Sequence, residues 1–226
     1  MYQKPGQDQL LTRLECIRDI VLARLRDLGL ATLRLPLLSG PNKPHVPILV
    51  SNNLSKASRV ILVFGEPVQD LGIWAYRTVG AESINAGSAV DFVKAILNQD
   101  ENVDCYSQRQ QGDVAVILAN TGQLVWHCGT GKAMTINSRL ALPRPSAVDP
   151  PLAETKRNKI PGHGNWQEHV VSVFNGIYSA RGKLVRNDVK IDVIGLSEGG
   201  LGAVRYLGTN CTSDPFLSAD PARYLS

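Results

Sequence analysis

The residues with the clearest chemical potential are Gly195-Leu-Ser197-Glu-Gly199, a G-x-S-x-G spacing. In that pattern a serine rides a sharp strand-to-helix turn, and its strained conformation exposes the hydroxyl. Side chains two positions to either side would collide, hence the glycines. An apolar strand, Lys190–Gly195, leads into the turn, and a helix carrying Leu201, Val204, Tyr206 and Leu207 leads out. The chemistry this suggests is nucleophilic, with Ser197 attacking and the Glu198 amide facing a developing oxyanion. The plain alternative is a glycine-rich turn that lets helix and sheet pack closely.

A serine hydroxyl is a poor nucleophile until a histidine takes its proton and a carboxylate orients that histidine. In the α/β-hydrolase order both partners follow the serine. No histidine follows Ser197 here. Of the four upstream, His163 in Pro161-Gly-His-Gly164 reads as an exposed loop residue and is the candidate base of a non-standard triad. His45 and His127 are flanked by apolar strand residues, and His169 opens a helix where capping or packing is its expected part. The oxyanion side is incomplete as well. After the first central strand comes Phe64-Gly-Glu-Pro67, in which Pro67 has no amide to offer and Glu66 brings the wrong charge.

Other patterns exclude more than they assign. Gly129-Thr-Gly-Lys132 looks like part of a phosphate loop, but Trp126 stands at the first glycine position and Ala133 at the hydroxyl position. Lys156-Arg-Asn-Lys159, with Arg144 nearby, reads as a solvated basic segment. No His/Cys/Asp cluster has metal-ligand spacing, so neither metal nor cofactor is expected. Cys16, Cys105, Cys128 and Cys211 lie far apart, as reduced thiols do in an intracellular protein. The 226 residues carry 24 basic and 20 acidic side chains, too mild a balance for a dedicated nucleic-acid binder. There is no apolar run of membrane length and no apolar leader after Met1, which points to an intracellular home, nucleus or cytoplasm.

The elements that must position Ser197 follow from periodicity. Leu10, Leu14, Ile17, Val21, Leu25 and Leu28 form a helical stripe ended by Gly29. His45–Val50 is a short strand, which Pro47 assigns toward a sheet edge. Arg59–Gly65 and Asp113–Asn120 are apolar runs of the kind strands buried on both faces require, and Gln123–Trp126 is a short third. A helix over 88–98 starts with a Ser88/Asp91 capping box, and one from Asn165 is capped with Glu168. Residues 132–163, with five prolines, read as a long surface excursion. Alternating strands and helices predict an α/β fold with a parallel sheet covered on both sides. The reading divides the chain into a helix and linker (1–44), the α/β domain (45–208) and an irregular tail (209–226).

Several segments, in order, resemble one family. They are Val60–Gly65 followed by Gly72-Ile-Trp-Ala-Tyr-Arg77, then Gly87–Lys94, Val114–Asn120, Glu168-His-Val-Val-Ser-Val-Phe174, and Ile191–Gly200 across the turn. That family is the Argonaute-binding-protein-two (Arb2-like) domain, also found behind fungal class II histone deacetylases. The resemblance implies a three-layer α/β-hydrolase-like fold acting mainly as a non-catalytic protein-interaction module. It also implies association with Argonaute small-RNA complexes, heterochromatin and RNA silencing. The chain departs from the family at Phe64-Gly65, where the family has His-Gly, and at Leu196, where it has histidine. Later strands and a histidine-bearing segment are missing, so the domain reads as incomplete at its C-terminus. The expected partner is a protein, with Argonaute or chromatin-silencing components implied by the resemblance; neither direct nucleic-acid contact nor a membrane is expected. A second reading is a serine hydrolase of ester or amide bonds using Ser197. A third is RNA contact through Arg144–Lys159.

Overall fold

The computed structural model describes residues 7–97, 113–142, 148 and 155–210. The N-terminal stripe forms α1 (Gln7–Asp27), which buries Val21 and Leu25 completely. Gly29, at φ +86°, turns the chain straight into β1 (Leu30–Leu35), because that left-handed conformation is costly for any residue with a Cβ. The sequence pattern did not mark β1. It pairs in antiparallel register with β2 (Val46–Ser51), Leu30 opposite Ser51 and Leu35 opposite Val46.

The apolar runs at β3 (Arg59–Phe64) and β4 (Val114–Ala119) become neighbouring parallel strands, Arg59 opposite Val114. Strand β7 (Lys190–Gly195) lies parallel on the other side of β3. The five strands run in the order β1-β2-β4-β3-β7. Thus β2 is an interior strand, not the edge that Pro47 implied. Its ladder with β4 covers Leu49 and Val50, so Pro47 lies outside it and loses no bond there. The Pro47 carbonyl instead accepts from Asn120 Nδ2 at 3.0 Å.

Helices cover both faces, as a mostly parallel sheet requires. On one face α1 and α3 (Val90–Ile96) meet Leu49, Val63, Val116 and Leu118. On the other, α5 (Trp166–Ser179) and α6 (Glu198–Asn210) meet Val60, Leu62, Phe64 and Ile117. There Phe174 stacks on Tyr206 with centroids 4.3 Å apart and tilts against Phe64. A short helix α2 (Tyr76–Ala81) precedes α3.

Two local expectations are corrected. The Ser88/Asp91 capping box does not form, because α3 starts one residue later, with Ala89 as N-cap. Asp91 therefore sits too early to reach back and instead accepts from Asn85 Nδ2. The excursion after Lys132 is also more ordered than its prolines suggest. Strands β5 (Val125–His127) and β6 (Lys132–Met134) form a hairpin, and α4 (Ile136–Leu140) and a short 3-10 turn (Lys156–Asn158) follow. Trp126, Val46 and Ile160 make a small core under this segment. Pro143, Pro145, Pro150 and Pro151, with Arg144, lie outside the described residues, as does the tail from 211.

Candidate functional site at the strand-to-helix turn

Ser197 sits between β7 and α6 with φ +51°, in the left-handed region that serine rarely occupies. The turn is tight enough that its glycines have no substitutes. A Cβ on Gly195 would lie 2.1 Å from Gly200 Cα, and one on Gly199 would lie 2.5 Å from the Gly65 carbonyl oxygen. The Leu196 amide donates to the Phe64 carbonyl at 2.9 Å, extending the β3–β7 ladder into the turn. Ser197 is thereby exposed beside the Phe64–Pro67 loop, at the carboxyl ends of the parallel strands where α/β sheets place their sites.

The hydroxyl is already engaged. Ser197 Oγ donates to Glu198 Oε2 at 2.6 Å. That bond, with one from the Glu198 amide to its own carboxylate, holds the carboxyl below its ordinary range. The amide assigned to an oxyanion is thus directed at a side-chain anion. On α6, Gly199, Gly202 and Ala203 face inward; of the apolar residues read from the sequence, Tyr206 and Leu207 pack against the core, whereas Leu201 and Val204 are exposed. The space between α6 and its neighbours is too narrow for more than glycine and alanine; a Cβ on Gly202 would meet Trp166 and Val170 at 3.0 Å.

None of the four histidines bonds to Ser197. His163 is not an exposed loop residue but buried, its Nδ1 2.9 Å from His169 Nδ1. Burial pushes His163 down to about 4, the charge of Glu168 opposing that shift. It also holds His169 well below its ordinary value, and His163 adds to the effect. The fold buries the pair because Asn165 caps α5, its side chain accepting from the Glu168 amide at 2.8 Å. That cap brings the Gly162–Gly164 turn back over the first helical turn. His45 instead bonds the Lys43 carbonyl and rests on Trp126, and His127 bonds Thr130.

A polar network that the sequence reading missed lies beyond the ends of β3 and β4. Asp70, Asn120 and Gln123 are buried together; Gln123 Nε2 donates to Asp70 Oδ1 at 2.7 Å and Asn120 Nδ2 donates to Gln123 Oε1 at 2.9 Å. Tyr76 gives its hydroxyl proton to Asp70 Oδ2 at 2.6 Å, and burial, then the Asp70 charge, raise that phenol well above its usual range. Asp70 and Gln123 reach the floor of a cleft of about 400 Å³ between α1 and the β5–β6 hairpin, flanked by Arg18 and Lys132. Among the described residues no group of three or more His, Cys, Asp or Glu is placed to hold a metal. Cys16 and Cys128 are free and exposed.

A family profile for the Arb2 domain matches residues 8–213. The chain belongs to the Arb2 domain family. The match takes in α1 and β1 as well as the segments that carried the resemblance. No curated protein and no solved structure matches the chain. The Arb2 domain described here thus holds its G-x-S-x-G serine in a strained turn, hydrogen-bonded to the next residue. No helix among its described residues is long and apolar enough to cross a membrane.

Proposed function

We propose that this Arb2 domain is a non-catalytic protein-interaction module built on a hydrolase-like scaffold. In this reading its partners are Argonaute or chromatin-silencing components in the nucleus or cytoplasm. The observation that carries it is the state of Ser197. Its strained backbone is the geometry of a nucleophile elbow, yet its proton goes to Glu198 and each histidine is engaged elsewhere. A serine without an imidazole to receive its proton keeps an alcohol's reactivity, and loss of that base costs several orders of magnitude in rate. Around the turn, Leu196 and Leu201 present apolar surface to solvent, which suits protein contact better than a polar reaction site.

Two measurements test this. The purified chain is treated with a fluorophosphonate probe beside Ser197→Ala, with no labelling expected; specific labelling of Ser197 would establish the hydrolase reading instead. Purified Argonaute is then titrated against the chain. Binding should survive Ser197→Ala and fall at least tenfold in Leu201→Asp, and absence of binding would remove Argonaute as the partner.

A further inference from the structure

We propose that the cleft between α1 and the β5–β6 hairpin takes an extended acidic peptide of a partner protein, laid against the edge of β6. The cleft measures about 400 Å³, a size that holds a ligand. Lys132, Ala133 and Met134 all line it, although side chains alternate along a strand and Ala133 packs against the small core under Trp126. What the cleft meets is therefore the backbone of β6. Among the described strands β6 pairs only with β5. Across from that edge stands α1, which supplies Leu14, Arg18 and Leu22. A strand edge facing a concave wall is a template on which an extended peptide adds.

Side-chain placement and charge say which peptide. Val125 stands opposite Met134 in the hairpin and opposite Lys159 on its other side. Paired residues share a face, so Lys132, Met134 and Lys159 lie together, on the face away from Trp126. Both lysines are exposed, and neither is in an ion pair among the described residues. Residues 121–163 hold six basic and two acidic side chains, a surplus equal to the formal +4 of the whole chain.

The α1 wall is mixed in charge but leaves donors unspent. The Arg18 side chain is only 19 % exposed, yet the carboxylates nearest it, on Glu15, Asp19 and Asp70, stand 3.9, 3.7 and 3.9 Å away, beyond hydrogen-bond length. Its N–H groups are thus open to a carboxylate or backbone carbonyl of the occupant. Leu22, Pro47 and Leu71 line the cleft as well. A peptide of alternating acidic and apolar residues meets both surfaces, because its two faces carry the two kinds of side chain. RNA fits less well: single strands are held by stacking on open aromatic rings, and here Trp126 is buried with His45 resting on it. The cleft shares no lining residue with the Ser197 turn, so a hydrolase and a binding module would carry this site alike.

The test is fluorescence anisotropy, with the whole chain titrated into a fluorescein-labelled Glu-Val repeat of about eight residues, beside a Lys-Val repeat and an oligouridine of similar length. Only the Glu-Val repeat should bind, with a Kd below about 100 μM, and it should slow amide exchange at Lys132–Met134. Lys132→Glu and Lys159→Glu should each weaken it at least about tenfold, with melts near the wild type. Lys56→Glu makes the same charge change at an exposed turn before β3 and should leave binding unchanged. Should one cleft variant unfold, the other decides. A Glu-Val repeat that does not bind, as when another part of the chain fills the cleft, overturns the proposal. So does tighter binding of oligouridine, an equal loss in Lys56→Glu, or undiminished binding in both cleft variants.

Discussion

His163 Nδ1 lies 2.9 Å from His169 Nδ1, with both rings shut away from water. One of these nitrogens must carry hydrogen and the other must be bare, so the pair exists only while at least one ring is neutral. His169 Nε2, buried and without a hydrogen-bond partner, offers no place for a second charge.

The pair makes stability depend on pH in a definite direction. An unfolded histidine takes up its proton near 6.5, whereas His163 in the fold does so at about 4 and His169 well below its ordinary value. The unfolded state then binds more protons between those values, so stability is full above 6.5 and is lost as pH falls toward 4. For His163 the full loss is on the order of 3 kcal/mol. Urea midpoints should fall across that window, and less steeply in a His163→Leu/His169→Leu double variant, which shares every other titrating group. Equal slopes in the two proteins would show that the pair does not control acid stability.

The glycines of the turn and the glycine late in α6 should respond oppositely to alanine. Gly199→Ala forces a Cβ to 2.5 Å from the Gly65 carbonyl oxygen and 3.0 Å from Phe64, where backbone must move. A loss of about 2 kcal/mol or more is expected, as for overpacked interiors. Gly208→Ala meets nothing within 4 Å on a helix that spans Glu198–Asn210. It should gain about 0.5–1 kcal/mol by restricting the unfolded chain. Chemical denaturation of both variants checks the pair, and a tolerated Gly199→Ala would mean that the turn is looser than described.

What was legible in the sequence was what local pattern determines. The apolar runs Arg59–Phe64 and Val114–Ala119 are parallel strands because strands covered on both faces have no polar side to display, and Lys190–Gly195, parallel to β3, was legible as the strand leading into the G-x-S-x-G turn. The Asn165 cap was legible because its partner is three residues away. The strand Leu30–Leu35 was not, since Thr32 and Arg34 break its apolar run directly after a helix and pairing with β2 decides it. His163 was misplaced because flanking glycines suggest surface, while its burial depends on how α5 folds back. The Asp70–Gln123 bond joins residues 53 apart in sequence, and no local signal carries it.

Ser197→Gly tests whether the strained turn is kept for its side chain. At φ +51° a serine pays about 1 kcal/mol that glycine does not, and glycine gives back a similar amount through its freer unfolded chain. The lost bond to Glu198 is exposed and adds little. The variant should therefore fold within about 1 kcal/mol of the wild type and bind partner equally well. Ser197→Val, branched at Cβ, should lose about 2 kcal/mol. Partner binding lost in Ser197→Gly, with folding intact, would assign the hydroxyl a direct part.

Gln123 tests the buried network. It donates to Asp70, accepts from Asn120 and takes a bond from the Leu71 amide, so Gln123→Leu leaves a carboxylate oxygen and an amide group short of partners in a buried place. The expected cost is about 2–3 kcal/mol, set by desolvated polar groups rather than by lost volume. Gln123→Glu keeps the shape but sets a second carboxylate against Asp70, and two such charges in contact raise the proton affinity of one of them. The folded state then binds a proton more readily than the unfolded chain does. Relative to the wild type at each pH, this variant should be weakest at neutral pH and recover as the solution is acidified. Gln123→Leu should show no such recovery. A Gln123→Glu deficit independent of pH would place the new carboxylate in solvent, and the network described for Asp70, Gln123 and Asn120 would then be wrong.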